Sequence, residues 1–491
     1  MAIAEGTVPQ GSTAQWKDNK RYLWLIGLVV PSLFFIGYGG WLATGWPGLF
    51  WIGPVVILVV VPAVDLVTGL DRSNPPDDVI EALEQDRYYR WITYLFLPIQ
   101  YVGFVSAMYL IARGDPLGIG GAIPLWAKVG LAVSIGCIGG IGINTAHELG
   151  HKRESHERWL SKIALAQSFY GHFYIEHNRG HHVRVATPED PASSRVGESF
   201  YQFWPRTVLG SLRSAWNLER RRIARRRRHP FRIGNDVLNA WLMSAVLWGA
   251  MVLAFGAGIL PYLVIQAVVG FSLLEVVNYM EHYGMCRQRT RGGTGRYERV
   301  DPSHSWNSNN IATNVLLYHL QRHSDHHANP TRRYQTLRDF QQSPALPTGY
   351  AGMIVLALVP PVWRRVMDPR VLAHFDGDLS RANLSPRGRD RLLAAYPPPA
   401  VETRVVSTGS TSGVVSTGST SGVVSSGSTS GDVVSARCPG CGYNYEVDAG
   451  EEREGFAAGT AWADIPDSWC CPDCGVREKV DFVMLVEATL D

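Results

Sequence analysis

The sequence predicts a mainly α-helical fold. It consists of a six-helix membrane-spanning bundle, a histidine-rich cap on its cytoplasmic side, and a small metal-stapled domain at the C-terminal end. Three observations predict it. Long runs carry no Asp, Glu, Lys or Arg, nine of the fifteen His fall into four tight groups, and four of the seven Cys form two CxxC pairs. Charged residues are only 18% of the chain, against about 25% in ordinary soluble domains. Sixteen Trp, twenty Tyr and sixteen Phe exclude a chain that is disordered throughout.

The spans come first in chain order. No charged residue occurs from Tyr22 to Val64, a run of 43 residues, enough for two helices of about 20 residues each. The Gly45-Trp46-Pro47-Gly48 stretch separates them as a tight turn. Trp91–Ala112 is a third span, and Leu125–Ala146, with Lys128 near its start, is a fourth. Val237–Leu274 is charge-free and breaks around Gly256–Pro261, giving spans five and six, the sixth running on to about Glu281. Tyr350–Val362 is too short to cross and is expected to be interfacial or buried. A water-soluble fold has no place for uncharged runs of this length.

Basic residues set the orientation. Lys17, Lys20, Arg21, Arg72, Arg87 and Arg90 flank one side, and the long 147–236 segment adds Arg220, Arg221, Arg222, Arg225, Arg226, Arg227 and Arg228. The positive-inside rule then places both termini and that whole segment in the cytoplasm. The arginine run reads as a basic loop beside anionic lipid, not as a nucleic-acid site.

Four units follow: an N-terminal cytoplasmic segment (1–20), a membrane unit (21–400), a linker (401–436) and a small domain (437–491). The linker holds the repeats VVSTGSTSG, VVSTGSTSG and VVSSGSTSG, whose composition makes a flexible tether of roughly 30–36 Å root-mean-square span. Such a tether presents its cargo at an effective concentration on the order of millimolar.

The cargo is too small to fold readily without a staple. Cys438, Cys441, Cys471 and Cys474 supply one, since four thiolates at CxxC spacing suit a tetrahedral metal, zinc or iron. Disulfides are disfavoured by the reducing compartment. Cys137, Cys286 and Cys470 are read as buried thiols.

The histidine groups are His147 and His151 in HELGH, His177, His181 and His182 in EHNRGHH, His282 in EHYG, and His323, His326 and His327 in HSDHH. An i,i+4 pair lies on one helical face, so both rings reach one metal. HExxH also marks zinc peptidases, but nine imidazoles exceed one zinc's needs and suit two metals with open positions. His156, His172, His229, His304, His319 and His374 are read as structural. Glu148, Glu176, Asp190 and Asp325 are candidates to hold the ligating rings from behind, and Glu281, beside His282, is the candidate carboxylate nearest the metals. Glu275 is expected to face the protein interior. Trp51, in span two, is a candidate to limit the length of an apolar substrate.

Two resemblances sharpen this. The motifs CPGCGYNY and PDSWCCPDCG resemble rubredoxin over residues 437–487, which implies a short β-sheet with two Cys knuckles holding one iron that carries one electron. The three boxes HxxxH, HxxxHH and HxxHH resemble those of membrane di-iron oxygenases and desaturases. The stretches INTAHELGHK, YGHFYIEHNRGHHVRVATPEDPASSR, NYMEHYG and LQRHSDHHANPTRRYQTLRDF are similar to the bacterial alkane 1-monooxygenase family over about residues 20–380.

The resemblance implies two non-haem irons on the nine His, O2 as co-substrate, and terminal hydroxylation of medium-chain linear alkanes. It also implies a separate NADH- or NADPH-dependent rubredoxin reductase and a place in the bacterial inner membrane. The alternative is a membrane fatty-acyl desaturase or hydroxylase on the same histidine framework; the EHYG element and the rubredoxin-like tail speak against it.

Overall fold

The computed structural model describes residues 16–290, 296–399, 433–467, 469–475 and 477–486. The Gly/Ser/Thr repeats at 405–431 lie outside the described residues.

Six of the described helices are long and apolar enough to cross a membrane: α1 Leu23–Thr44, α2 Pro47–Thr68, α3 Arg87–Arg113, α4 Leu125–Gly150, α8 Asp236–Phe255 and α9 Ala257–Glu281. The chain is a multi-pass membrane protein. The turn expected at 45–48 is present: Gly45, at φ +68°, ends α1 by donating its N–H to Trp41 O, a left-handed cap that glycine takes at little cost. The Asn235 side chain caps α8 through the Val237 and Leu238 amides.

α4 is the axis of the bundle and is buried along most of its length. Its Gly136-x-x-x-Gly140 face meets α9 directly. A side-chain carbon on Gly136 would stand 2.6 Å from Val269 Cβ, and one on Gly140 2.9 Å from Gly270 O. Small residues at i,i+4 allow this backbone approach where lipid offers no hydrophobic drive. α8, by contrast, leaves Leu242, Val246 and Leu253 exposed to lipid.

The 147–236 segment differs from expectation. After α4, helix α5 (Ser155–Ala166) does not stay above the bundle. It returns antiparallel to α4 and ends at Gln167, buried among three spans. Gln100 Nε2 donates to Gln167 Oε1 (2.7 Å), Gln167 Nε2 to Gln266 Oε1 (3.2 Å), and Trp248 Nε1 to Gln167 O (3.1 Å). Gln100 and Gln266 lie about 20 Å from the cap ends of α3 and α9 at 1.5 Å per residue. A helix, α6 (173–184), then climbs back to the cap. Gln167 escaped the hydropathy reading because a polar residue satisfied by two glutamines is invisible to it.

α7 (Phe200–Arg225) lies across the cap side, opened by a Ser199/Gln202 capping box. α10 (His323–Ala328) carries the last histidine group. The Tyr350–Val362 stretch forms α11 (Tyr350–Ala357) and the start of α12 (Pro360–His374), with Tyr350, Met353 and Ile354 buried against Tyr279 and Trp363 in one core. The tail is an antiparallel sheet ordered β2-β1-β3, with β1 Val433–Arg437, β2 Asn444–Glu446 and β3 Val483–Val486. β1 begins four residues inside the expected linker. Tyr445, Trp462, Trp469 and Phe482 pack behind the four Cys.

Candidate metal centres and electron docking site

All nine expected histidines converge and are buried. They divide into two groups whose ligand atoms lie within 4.8 Å of one another: His147, His151, His177, His182 and His326, and His181, His282, His323 and His327. α4 supplies His147, and the residue that caps its C-terminus supplies His151, at i,i+4 spacing. α6 does something less regular, because residues His177–His181 form a π-helical turn. The wide turn puts His177 and His182 on one side, Nε2 to Nε2 at 3.1 Å, and swings His181 to the other group. On α10, His323 and His327 (2.9 Å) share a face, while His326 turns toward His182 (3.2 Å). His282 follows α9 and meets His323 at 3.3 Å.

These separations suit a shared ion. Imidazole nitrogens at about 2.0–2.1 Å from one metal lie about 3 Å apart when at right angles. The Nε2 atoms of His147, His151 and His181 are buried with no protein hydrogen-bond partner. Burial first, then neighbouring imidazoles, holds His151, His177, His182, His323, His326 and His327 well below the ordinary histidine range. Their uncharged rings keep lone pairs free for metal. The donor set therefore fits two irons, with no carboxylate in either group among the described residues.

The carboxylates behave differently from one another. Asp190 Oδ2 holds His181 Nδ1 at 2.9 Å and accepts from Ser193 Oγ, which fixes the His181 tautomer and aims Nε2 at the centre. Burial alone would raise Asp190, but His181 and these hydrogen bonds keep it below the usual carboxylate range.

Glu148 instead pairs with Lys152 (2.9 Å) and accepts from Tyr334 N, Glu176 pairs with Arg184 (2.8 Å), and Asp325 accepts from Arg332, from Asn329 Nδ2 and from the Arg338 amide. These three touch cations and amides, so they brace α4, α6 and α10, not the rings. Burial pushes Glu176 up to about 8. Glu281 Oε2 lies 3.2 Å from His323 Nε2, and its Oε1 has no partner. Glu275 faces inward as expected, accepting from Tyr170, Thr207 and Asn278.

The remaining histidines stay outside both groups. His319 bridges Tyr334 O and Lys20, His304 pairs with Asp301 and Glu298, and His156 meets the Tyr94 hydroxyl. His172 is buried with both nitrogens unpartnered.

An apolar cavity runs down from the centre. Glu281, His147, His177 and His323 close one end, and Leu273, Leu274, Val56, Val30 and Gly140 line it below. Trp51 does not line it; its ring fills the space above Gly130.

In the tail, Cys438 Sγ and Cys474 Sγ are 3.8 Å apart, and Cys441 Sγ and Cys471 Sγ 3.5 Å. Tetrahedral thiolates at about 2.3 Å bond length sit about 3.8 Å apart, so the four fit one iron. Cys470 lies outside this group.

The tail is seated on the histidine cap by its second knuckle. Gly475, next to the ligand Cys474, packs so tightly on the Asn178 carbonyl that a side-chain carbon would collide with it, and that carbon would stand 3.8 Å from His182 Cβ. Three arginines of the run, Arg222, Arg225 and Arg226, reach the tail, which corrects the reading of those three as lipid-facing. Arg222 Nη1 donates to Arg453 O (3.0 Å), Arg225 pairs with Glu454 (2.8 Å), and Arg226 with Glu452 (3.6 Å). Arg299 pairs with Asp481, and the tail's Arg453 with Asp236 (2.9 Å). Arg179, between two metal-binding histidines, pairs with Glu219 (3.0 Å) and faces Glu454 at 3.8 Å. A charge run predicts its sign of partner and nothing of its address, so neither Arg179 nor Asn178 stood out in the sequence.

Comparison with known proteins decides the family. The alkane 1-monooxygenase of Acinetobacter baylyi is 47% identical over 385 residues, covering 77% of this chain and 91% of that protein. The chain belongs to the alkane 1-monooxygenase family. Alkane 1-monooxygenases of Ectopseudomonas oleovorans (43% identical over 391 residues, 78% of this chain and 94% of that one) and Alcanivorax borkumensis (44% over 375 residues, 76% and 90%) agree. The fatty acid desaturase family model matches residues 124–357, the stretch that contains all nine clustered histidines. The rubredoxin family model matches residues 435–482, so this alkane monooxygenase carries a C-terminal rubredoxin domain.

Proposed function

We propose that this enzyme hydroxylates the terminal methyl of medium-chain linear alkanes, R–CH3 + O2 + 2e− + 2H+ giving R–CH2OH + H2O, with both electrons passing singly through the fused rubredoxin. The observation that carries it is the apolar cavity whose one closed end is His147, His177, His323 and Glu281. An alkane has no polar handle, so shape and an apolar wall must position it, and this wall presents only its end to the histidines. Two irons held by the nine His would supply oxygen activation, the part of the chemistry that side chains cannot do. Asp190 holds the His181 ring in place. Glu281, with Oε1 free at the cavity end, is assigned to hold and release a proton there. A third iron in the tail would take electrons from a separate NADH- or NADPH-dependent flavoprotein reductase. The seat of Gly475 between Cys474 and His182 supports a short onward route. The basic residues flanking the cap support a cytoplasmic cap, tail and termini, in a bacterial inner membrane.

The test is reconstitution in lipid with a rubredoxin reductase, NADH, O2 and octane. Formation of 1-octanol is expected. No alcohol, with conversion of an acyl thioester instead, would assign the chain to desaturation or acyl hydroxylation.

A further inference from the structure

The two Cys knuckles of the tail are in opposite situations. The second, Cys471–Gly475, is pressed on the cap, and Gly475 is buried there. The first, Cys438–Pro439–Gly440–Cys441, is not: Pro439 and Gly440 are exposed, although they stand directly between two iron ligands. An electron reaches a buried iron most readily through its ligands and the residues bonded to them, so an exposed knuckle is a place where a donor can make contact. Two arginines rim it. Arg437 is exposed, with Nη2 3.5 Å from where a Gly442 side chain would begin, a point that Arg153 of the cap approaches to 3.7 Å, so the Gly442 end borders the seat while Pro439 and Gly440 stay open. Arg477 runs along its other side, with Nε 3.1 Å from the same position on Gly440, and lines the cleft that opens from there toward His182 and Arg287 of the cap. Neither arginine is in an ion pair among the described residues. The docked side of the tail is mostly of the opposite sign: Glu452, Glu454, Asp473 and Asp481 face Arg226, Arg225, Arg153 and Arg299, with Arg453 on Asp236 the one reversed pair among them.

We propose that the first knuckle, Cys438–Gly440–Cys441 with Arg437 and Arg477, is the electron inlet of the tail, and that it takes a reductase bearing an acidic patch while the second knuckle stays docked as the outlet. This deepens the reading that the rubredoxin is the donor, and rests on it. Each transfer moves one electron from reduced flavin to the ferric tail iron, and then from the ferrous tail iron to the histidine-held irons. Two such passages complete one alkane oxidation, and the tail need not leave its seat between them.

The experiment uses the full chain in lipid and two readings: bleaching of the ferric tail by reductase and NADH, and re-oxidation of a dithionite-reduced tail on adding O2 and octane. Arg437→Glu is expected to slow reductase-driven bleaching about tenfold at low salt, as rim charges set association rates, and Arg437→Lys to restore it. The visible spectrum of the iron-bound tail reports that the variants are folded. Arg225→Glu is expected to slow re-oxidation. Unslowed bleaching in Arg437→Glu overturns the inlet. Faster bleaching in Arg225→Glu also overturns it, because the tail would then have to undock to be recharged. A wild-type reduced tail that O2 and octane leave reduced refutes the donor reading itself, whatever the variants do.

Discussion

At the residue scale, the hydrogen bond from His181 Nδ1 to Asp190 is the one carboxylate–imidazole contact behind a ligand ring among the described residues. Replacing Asp190 by Asn keeps the size but lets the amide offer N–H where the ring needs an acceptor. Such changes typically cost about 10–100-fold in metal affinity or activity. Asp190→Asn is therefore expected to lose iron from the four-histidine group first, read by metal analysis and by a fall in 1-octanol yield. Full iron content and full activity would remove Asp190 from the site. His282 is the single ligand that follows α9, and it sits 3.3 Å from His323. On the proposed count of three irons, His282→Ala should leave two with helical circular dichroism intact; three irons with full activity would exclude His282 as a ligand. His172→Ala, five residues before His177, should keep all three, because its ring belongs to neither group.

At the scale of elements, the sequence exposed the ingredients and hid one register. Spacing along each box is local, so the nine His were legible from His147 to His327. Their division was not, because a π-helical turn at His177–His181 shifts the following histidine by one position, and no composition marks it. The spans were legible for the same reason that they are stable: charge is absent where lipid is. The return of α5 to Gln167 was not, since polar residues deep in a bundle read as loop until their partners are known. The Gly136/Gly140 face is where this architecture is most exposed to a single change. Gly136→Leu would drive a branched side chain against Val269 and Gln266 O, and overpacking of a close-packed core costs typically about 1–3 kcal/mol. We expect a lower melting temperature and reduced iron binding, since three of the nine candidate ligands, His147, His151 and His282, lie in α4 or directly after α4 and α9. Gln167→Leu removes two interspan hydrogen bonds, each worth about 0.6–2 kcal/mol in membrane bundles, and should also melt earlier. Unchanged melting in both would mean that the bundle is held elsewhere.

At the scale of the whole molecule, an alkane monooxygenase and a rubredoxin domain share one chain and meet at a seat made of complementary charge. The pairs at that seat are partly exposed, as with Arg226 and Glu452, and exposed pairs contribute only about 0–1 kcal/mol each and weaken with salt. Pairs this weak favour separation of two untethered proteins on dilution. We expect the repeats at 405–431 to make up the difference, because a Gly/Ser/Thr composition predicts a tether that would hold the tail at an effective concentration on the order of millimolar. Cutting the chain inside the repeats leaves every contact at the seat intact and removes only that term. The cut enzyme is therefore expected to match the intact rate when protein is concentrated, to lose rate in proportion on dilution, and to recover it when free tail is added. Raising ionic strength from 0.05 M to 0.5 M should deepen the loss in the cut enzyme far more than in the intact one, since the Debye length falls well below 10 Å over that range. A rate that survives both cutting and dilution would mean that the seat holds the tail without help from the linker.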